Sequence, residues 1–443
     1  MNQNPSFKII LLLATLLAAP ASNAEMCTLD VVPAATLLLP YFEVNLDSQQ
    51  GVNGVNTLFS INNASPEPTI AHVTFWTNYG YPTIDFDIFL TGYDVQQVSM
   101  LAAFEGFLPV TADEQTDPSD AISPHGNNPE WDGSFAAPPN CAFFFPFFNP
   151  VIPQINLERM ILGHTGKTSA NLDNRCLGAD FGDNIARGYV TVDVARRCSI
   201  EFPSDNGYFG GADPVAIDDN RLWGDFIIRQ PELDTAARSH LVHIEADPSF
   251  DNTSTASGLT FYGRYSGGAD HREPLGMQWG ARYYGTSLSG NNLLVWRDST
   301  QAQPNLQGYD CAEGPPWLPL DETSVLCFDE EESFVELCAE GETCFPLETQ
   351  RVFMRGEDLP IPYLFGWCQL DLNHDDDFVG DVDFPTAGSP VAQSYVAVLH
   401  DQSGVFGGIT QGVSLGGACH LPTSFSDIFI DGFESGDTSA WSN

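Results

Sequence analysis

Lysine is nearly missing from this 443-residue chain: Lys8 and Lys167 are its two lysines, and every other base is arginine. Lys+Arg number 16 against 59 Asp+Glu, a formal net charge of −43. Phosphates are repelled by such a surface, so the imbalance argues against nucleic acid or anionic lipid as partners. It fits a protein in a medium where counterions screen self-repulsion. The sequence also holds no C-x-x-C, which removes zinc ribbons, thioredoxin-like redox sites and c-type haem attachment together. No apolar run after the N-terminal segment is long enough to cross a bilayer. Long helical stripes are lacking too, since no apolar 3.6-residue period lasts beyond about three turns. The 39 Gly and 31 Pro suit many short turns instead.

The N-terminus carries the clearest feature that is present. Lys8 precedes a small and aliphatic run over 9–19, Pro20 breaks it, and Ser22-Asn23-Ala24 offers small residues at the −3 and −1 positions. This pattern predicts a cleaved signal peptide over 1–24 and a secreted, extracellular or cell-surface protein, the periplasm included. Cys27 follows Glu25-Met26, which is no lipobox. Ten cysteines in an oxidising compartment predict five disulfides. Cys176–Cys198 and at least one pair inside 311–344 are expected to be local.

Period two dominates the rest. Ile84, Phe86, Ile88 and Leu90 alternate with Asp85 and Asp87, and Val190, Val192 and Val194 alternate with Tyr189, Thr191 and Asp193. Similar runs at 57–62, 72–77, 222–228, 259–265, 293–298, 364–372 and 395–400 are bounded by Gly, Pro, Asn and Asp. Residues 234–243 are the best short helical segment. The fold class read from this is all-β, with antiparallel β-sandwich domains, the first immunoglobulin-like, and a disulfide-stapled insertion. The expected units are an immunoglobulin-like sandwich over 25–110, a linker or long loop over 111–150, a larger β domain over 151–420 and a tail over 421–443. The Pro-rich, acidic stretch 305–350, with four cysteines, is the insertion. Phe143-Phe144-Phe145-Pro146-Phe147-Phe148 is read as a buried hinge in preference to an exposed patch.

Few patterns point to chemistry. Residues 412–416 match G-x-S-x-G, but a nucleophile elbow needs a strand-to-helix turn and a following Asp and His, and that context is missing. His243 and Glu245 share a strand face and His240 points away, so three metal ligands do not converge there. Arg264, Glu273, Arg282, Arg297 and Asp298, with Asp225 and Glu245, sit in or beside strand patterns. Charges there must pair if buried. They are read as a structural network, the alternative being a glycosidase-like carboxylate pair. The acidic stretch 371–383 offers oxygen ligands at Asp371, Asn373, Asp375 and Asp377, a spacing suited to Ca²⁺. It starts like an EF-hand or dockerin loop and then departs, with Asp376 where Gly belongs and Val382 where a bidentate carboxylate belongs.

The tail, with Asp431-Gly432-Phe433-Glu434-Ser435-Gly436-Asp437 and Trp441, resembles the short DGFESGD…W ending of many otherwise dissimilar secreted bacterial proteins. The body, at 36–44, 71–76, 85–94, 186–194, 261–265 and 293–298, is similar to a group of uncharacterised secreted bacterial β-rich proteins. The tail resemblance implies a shared surface-sorting or export role; the body resemblance implies no activity. Together these readings give a secreted or cell-surface non-catalytic protein, structural, adhesive or ligand-binding, with Ca²⁺ as its one candidate cofactor. Its expected partner is an extracellular ligand or surface component, with no nucleic acid and no membrane span. The alternative is a secreted carboxylate-dependent hydrolase acting on polysaccharide.

Overall fold

The alternating runs become strands. In a computed structural model, residues 31–47, 54–109, 151–231, 235–248, 260–266, 270–284, 289–299, 308–338, 343–357, 359–373, 393–402 and 406–417 are described. In chain order the strands are β1 (Thr36–Asn45), β2 (Asn56–Asn63), β3 (Thr69–Thr77), β4 (Pro82–Leu90), β5 (Val95–Ser99), β6 (Ile185–Ala195), β7 (Leu222–Trp223), β8 (Asp225–Gln230), β9 (Thr235–His240) and β10 (Val242–Ile244). They continue as β11 (Gly276–Tyr284), β12 (Ser289–Arg297), β13 (Ser324–Phe328), β14 (Phe334–Leu337), β15 (Thr349–Phe353), β16 (Phe365–Asp371), β17 (Ser394–Gln402), β18 (Phe406–Gln411) and β19 (Val413–Gly417).

These strands form four antiparallel sheets: β10-β1-β6-β3-β4, β5-β2-β8-β9 with β7 on β2, β14-β13-β16-β11-β19, and β15-β12-β17-β18. The chain is all-β, as expected. The strands of the expected first unit do not pair only among themselves. β1 pairs with β6 and β10, β3 with β6, and β2 with β7 and β8, so residues from beyond 151 complete both sheets.

One continuous core runs through both halves, from Leu37, Val73 and Phe86 to Trp279, Leu294 and Val398. In the first sheet Leu37, Val192, Val73 and Phe86 lie in one cross-strand row, with Leu39, Val190, Phe75 and Ile84 in the next. Full burial of such side chains is worth roughly 1.5–3 kcal/mol each. The other face of this sheet is also buried, although it is polar.

Three local expectations are corrected. The helix expected over 234–243 is absent from its described part, 235–243: Thr235–His240 is strand β9, its Ala237 buried opposite Ile228. Pairing with β8 overrides the helix preference of Ala236 and Ala237. Residues 260–265, within a run expected to be a strand, form a turn and the short helix Gly263–Ser266, started by Asp270, whose carboxylate accepts from the Tyr262 N–H. Cys176 is bonded to Cys311, not Cys198, because residue 309 pairs with residue 176 and brings the distant segment alongside. Cys198 is itself disulfide-bonded.

The remaining described bonds are Cys327–Cys368, across adjacent strands, and the local Cys338–Cys344. The 305–350 segment is therefore stapled, and it also contributes β13, β14 and the start of β15. A longer helix, Gln154–Thr165, starts after Pro153 and stops at Gly166, whose φ of 71° is a left-handed turn that glycine adopts freely. No helix among the described residues is long and apolar enough to cross a membrane. The segments expected to be a signal peptide (1–24), a linker with the phenylalanine cluster (111–150) and a tail (421–443) lie outside the described residues, as do Cys27, Cys141, Cys419, Asp375 and Asp377.

Candidate functional site

Two of the charged residues, Arg264 and Asp298, converge out of water. Arg264, carried inward by the short helix, donates to Glu348 Oε1 at 2.5 Å, Ser299 Oγ at 3.0 Å and Tyr189 OH at 3.1 Å, and lies 3.2 Å from Asp298 Oδ1. Glu348 also accepts from Tyr189 OH at 2.8 Å. The Arg264, Asp298 and Glu348 side chains are 5%, 2% and 0% exposed. Burial weighs against the charged guanidinium, but Glu348, Tyr265 and Asp298 outweigh it and hold its pKa above the usual arginine value. Trp76 stacks on Tyr189 at 5.8 Å, and the Arg264 guanidinium lies 4.7 Å from the Tyr265 ring centre. Gly80, at φ 75°, closes the same spot: a Cβ there would sit 2.3 Å from Glu348 Oε2. Two carboxylates thus share one arginine, and the space beside Arg264 and Asp298, walled by Trp76, Tyr189, Tyr265 and Trp296, is about 10 Å³, too small for a sugar.

Arg297, 0% exposed, works as a clamp. It donates to the carbonyls of Leu320 at 3.1 Å, Phe345 at 2.6 Å and Leu372 at 2.8 Å, and to that of Asp321, with Glu322 at 3.5 Å. Asp225 accepts from Ser60 at 2.5 Å, and the Glu273 N–H donates to the Glu245 carbonyl at 2.9 Å. His243 accepts from the Gly224 N–H at 3.2 Å.

A second buried polar system was not singled out in the sequence. Thr36, Asp193, His72 and Asp87 stand in one row across β1, β6, β3 and β4, with Thr191, Thr74 and Asp85 in the next. His72 Nδ1 is 2.8 Å from Asp87 Oδ1, and Nε2 is 3.8 Å from Asp85 Oδ2. Burial opposes the imidazolium, but Asp87, Asp85 and Asp193 together raise His72 to about 9. Burial, against the pull of His72, raises Asp85 to about 7. Asp193 accepts from Tyr208 OH at 2.7 Å and Tyr262 OH at 2.9 Å, and Arg272 Nε lies 3.4 Å from it. Arg272 also donates to Asp270 at 3.2 Å and to Thr36 Oγ1. His72, Asp87, Asp193 and Asp270 are fully buried. The network ties the sheet to the segments that cover it, and a substrate has no room to reach it. The signal in the sequence was the polar parity of β3, β4 and β6; what it lacked was the identity of the cover.

Of the Ca²⁺ set, the structure places Asp371 at the end of β16 and Asn373 just beyond it. Asp371 accepts from Gln278 Nε2 at 2.7 Å and from the Asn373 N–H at 3.3 Å. Burial raises its pKa above the ordinary aspartate value. Asp375 and Asp377 lie outside the described residues. Glu322, Cys338 and Cys344 also cluster, but the two sulfurs are joined to each other and so do not serve as thiolate ligands. Ser414 lies on strand β19 opposite Trp279, not on a strand-to-helix turn.

The open feature is the outer face of the sheet β14-β13-β16-β11. Phe334, Phe328, Trp367 and Arg282 form one register row across its four strands, and Phe365 opposes Tyr284 in the next. Phe334 is 62% exposed, and Trp367, Phe365 and Tyr284 are each 38% exposed. Phe328 and Trp367 stack at 5.0 Å and 19°. Arg282 donates to Tyr284 OH at 2.6 Å. Directly beneath, on the inner face, the Cys327–Cys368 bond fixes β13 to β16. These aromatics were legible only as a strand, because 364–368 holds no polar residue on either parity and does not show which side is dry. A surface depression of about 320 Å³ beside the Gln154–Thr165 helix is less suited to a ligand. The Glu158 carboxylate lining it already accepts from Asn171 at 2.8 Å and Ser169 at 3.3 Å.

No family model, curated protein or solved structure matches this chain.

Proposed function

We propose that this is a secreted or cell-surface protein that binds its ligand without converting it. The observation that carries the reading is the closure around Asp298 and Glu348, the convergent carboxylates on Arg264, whose side chains are 2% and 0% exposed. Glycoside hydrolysis needs two carboxyl groups flanking an open bond and room for water. Here hydroxyls, an arginine and aromatic rings leave about 10 Å³ beside Asp298, about one water's worth and far less than a sugar ring needs. Export is supported by the signal-like N-terminus, the disulfides and the tail's resemblance to endings of secreted bacterial proteins. An exposed, disulfide-braced aromatic face is the surface best suited to contact.

The test is reducing-end release from a panel of soluble polysaccharides. None is expected from the intact protein. Release that Glu348→Gln abolishes while the fold persists would establish the hydrolase instead.

Calcium belongs to the proposal as a stabiliser. Asp371, Asn373, Asp375 and Asp377 supply oxygen ligands, and Arg297 anchors the approach to them through the Leu372 carbonyl. Millimolar Ca²⁺ should raise the unfolding temperature beyond NaCl of equal ionic strength, and Asp375→Ala should remove the difference. Equal responses to both salts would discard the site.

A further inference from the structure

We infer that the outer face of β14-β13-β16-β11 docks a basic polypeptide surface whose apolar side chains lie between its cationic ones. The inference rests on the binding role proposed above. Two adjacent features define the face. One is an apolar ridge, Phe334–Phe328–Trp367, running across three strands. The other is the β13–β14 hairpin tip beside it, Asp329-Glu330-Glu331-Glu332, in which residues 330–332 are exposed. The Asp329 carboxylate is occupied by the backbone N–H groups of Glu331 and Ser333, both at 2.8 Å, which holds the tip in its turn. The cation Arg282 stands at the far end of the row, about 14 Å from Phe334 at the usual strand spacing.

This charge pattern chooses among occupants. A second copy of the chain would offer a single arginine to the three exposed glutamates of each tip and would bring a second net charge of −43 against the first. A neutral glycan stacks on exposed ring faces, but Phe328 and Trp367 stack on each other, so each has one face already covered. Methylene and aromatic side chains pack against such a ridge, and flanking Arg or Lys would meet the acidic tip. The contact is then an apolar anchor with charged steering, in which few residues carry the affinity.

The probes are three fluorescein-labelled peptides of equal length, alternating Arg-Leu, Arg-Ser and Gln-Leu, with cellohexaose as the glycan. Binding is measured by anisotropy and, for the glycan, by tryptophan fluorescence. Arg-Leu should bind most tightly. Trp367→Ala should weaken it about tenfold or more and leave Arg-Ser unchanged. Glu330→Gln with Glu331→Gln and Glu332→Gln should weaken both arginine peptides. Phe334→Ser, at an exposed edge position, repeats the first result should Trp367→Ala fail to fold. Arg-Leu binding that is indifferent to both aromatic substitutions overturns the inference, since it would be general attraction to an acidic protein. Tighter binding of cellohexaose, or a dimer dissociated by Phe334→Ser, also overturns it. Either leaves the binding role intact, whereas reducing-end release overturns the role itself.

Discussion

Protonated His72 should make the fold stronger at lower pH, and Gln at position 72 should remove its part of that dependence. Burial opposes the imidazolium, but Asp87 at 2.8 Å and the neighbouring Asp85 and Asp193 raise the folded value from 6.5 to about 9. A raised base contributes stability that is complete below its unfolded value and lost as pH climbs through its folded value. The window here runs from 6.5 to about 9, and the contribution is about 3 kcal/mol. Asp85 acts in the same direction. Burial lifts it from 3.8 to about 7, so the native state holds this proton more tightly, and stability declines as pH rises across that interval. The assay is urea unfolding followed by tryptophan fluorescence at a series of pH values. The gap between the natural protein and His72→Gln should narrow by about 3 kcal/mol from about pH 6 to about pH 9.5, whatever constant part lost packing adds. A gap that stays level or widens as pH rises refutes the reasoning.

Arg264→Leu strands the Glu348 and Asp298 carboxylates and should cost about 3–5 kcal/mol in urea unfolding, with partial recovery when Glu348→Gln and Asp298→Asn are added. A loss under about 1 kcal/mol would mean that water reaches the site after all. Replacing Cys327 and Cys368 by Ser opens a loop with a sequence separation of 41 and should cost about 4 kcal/mol. An unchanged urea midpoint would show that the strand pairing alone holds that sheet.

Strand positions were readable because alternation is a local property: 84–90 and 190–194 each declare a strand without help from distant residues. What the other parity meets is not local. His72, Asp85, Asp87 and Asp193 are polar in the pattern of a half-wet sheet, but Tyr208, Tyr262 and Arg272 cover them from segments far along the chain. The structural reading of Arg264, Arg297 and Asp298 agrees with their burial, since charges in apolar runs have few other fates. The closest ion-pair partner of Arg264, Glu348, stood in an acidic segment with nothing to mark it. Cys176 shows the same limit: proximity in sequence points to Cys198, and only the pairing of 176 with 309 reveals Cys311. The outward aromatics of β16 could not be told from its inward residues, because Phe365, Trp367, Cys368 and Leu370 are all apolar.

A sheet dry on both sides, with unlike contents on each, is intolerant of misregistration. A one-residue slip of β3 would carry Val73 and Phe75 into the layer of Asp193 and Arg272, and push His72 and Thr74 among Leu37, Val192 and Phe86. In a half-wet sheet a misplaced polar side chain finds solvent on one side. Here it finds none, and each stranded polar group costs several kcal/mol while its carboxylate or guanidinium counterpart is orphaned as well. The row from Thr36 to Asp87 therefore serves as a key that fits one alignment of four strands, and near-native alternatives are penalised on both surfaces at once.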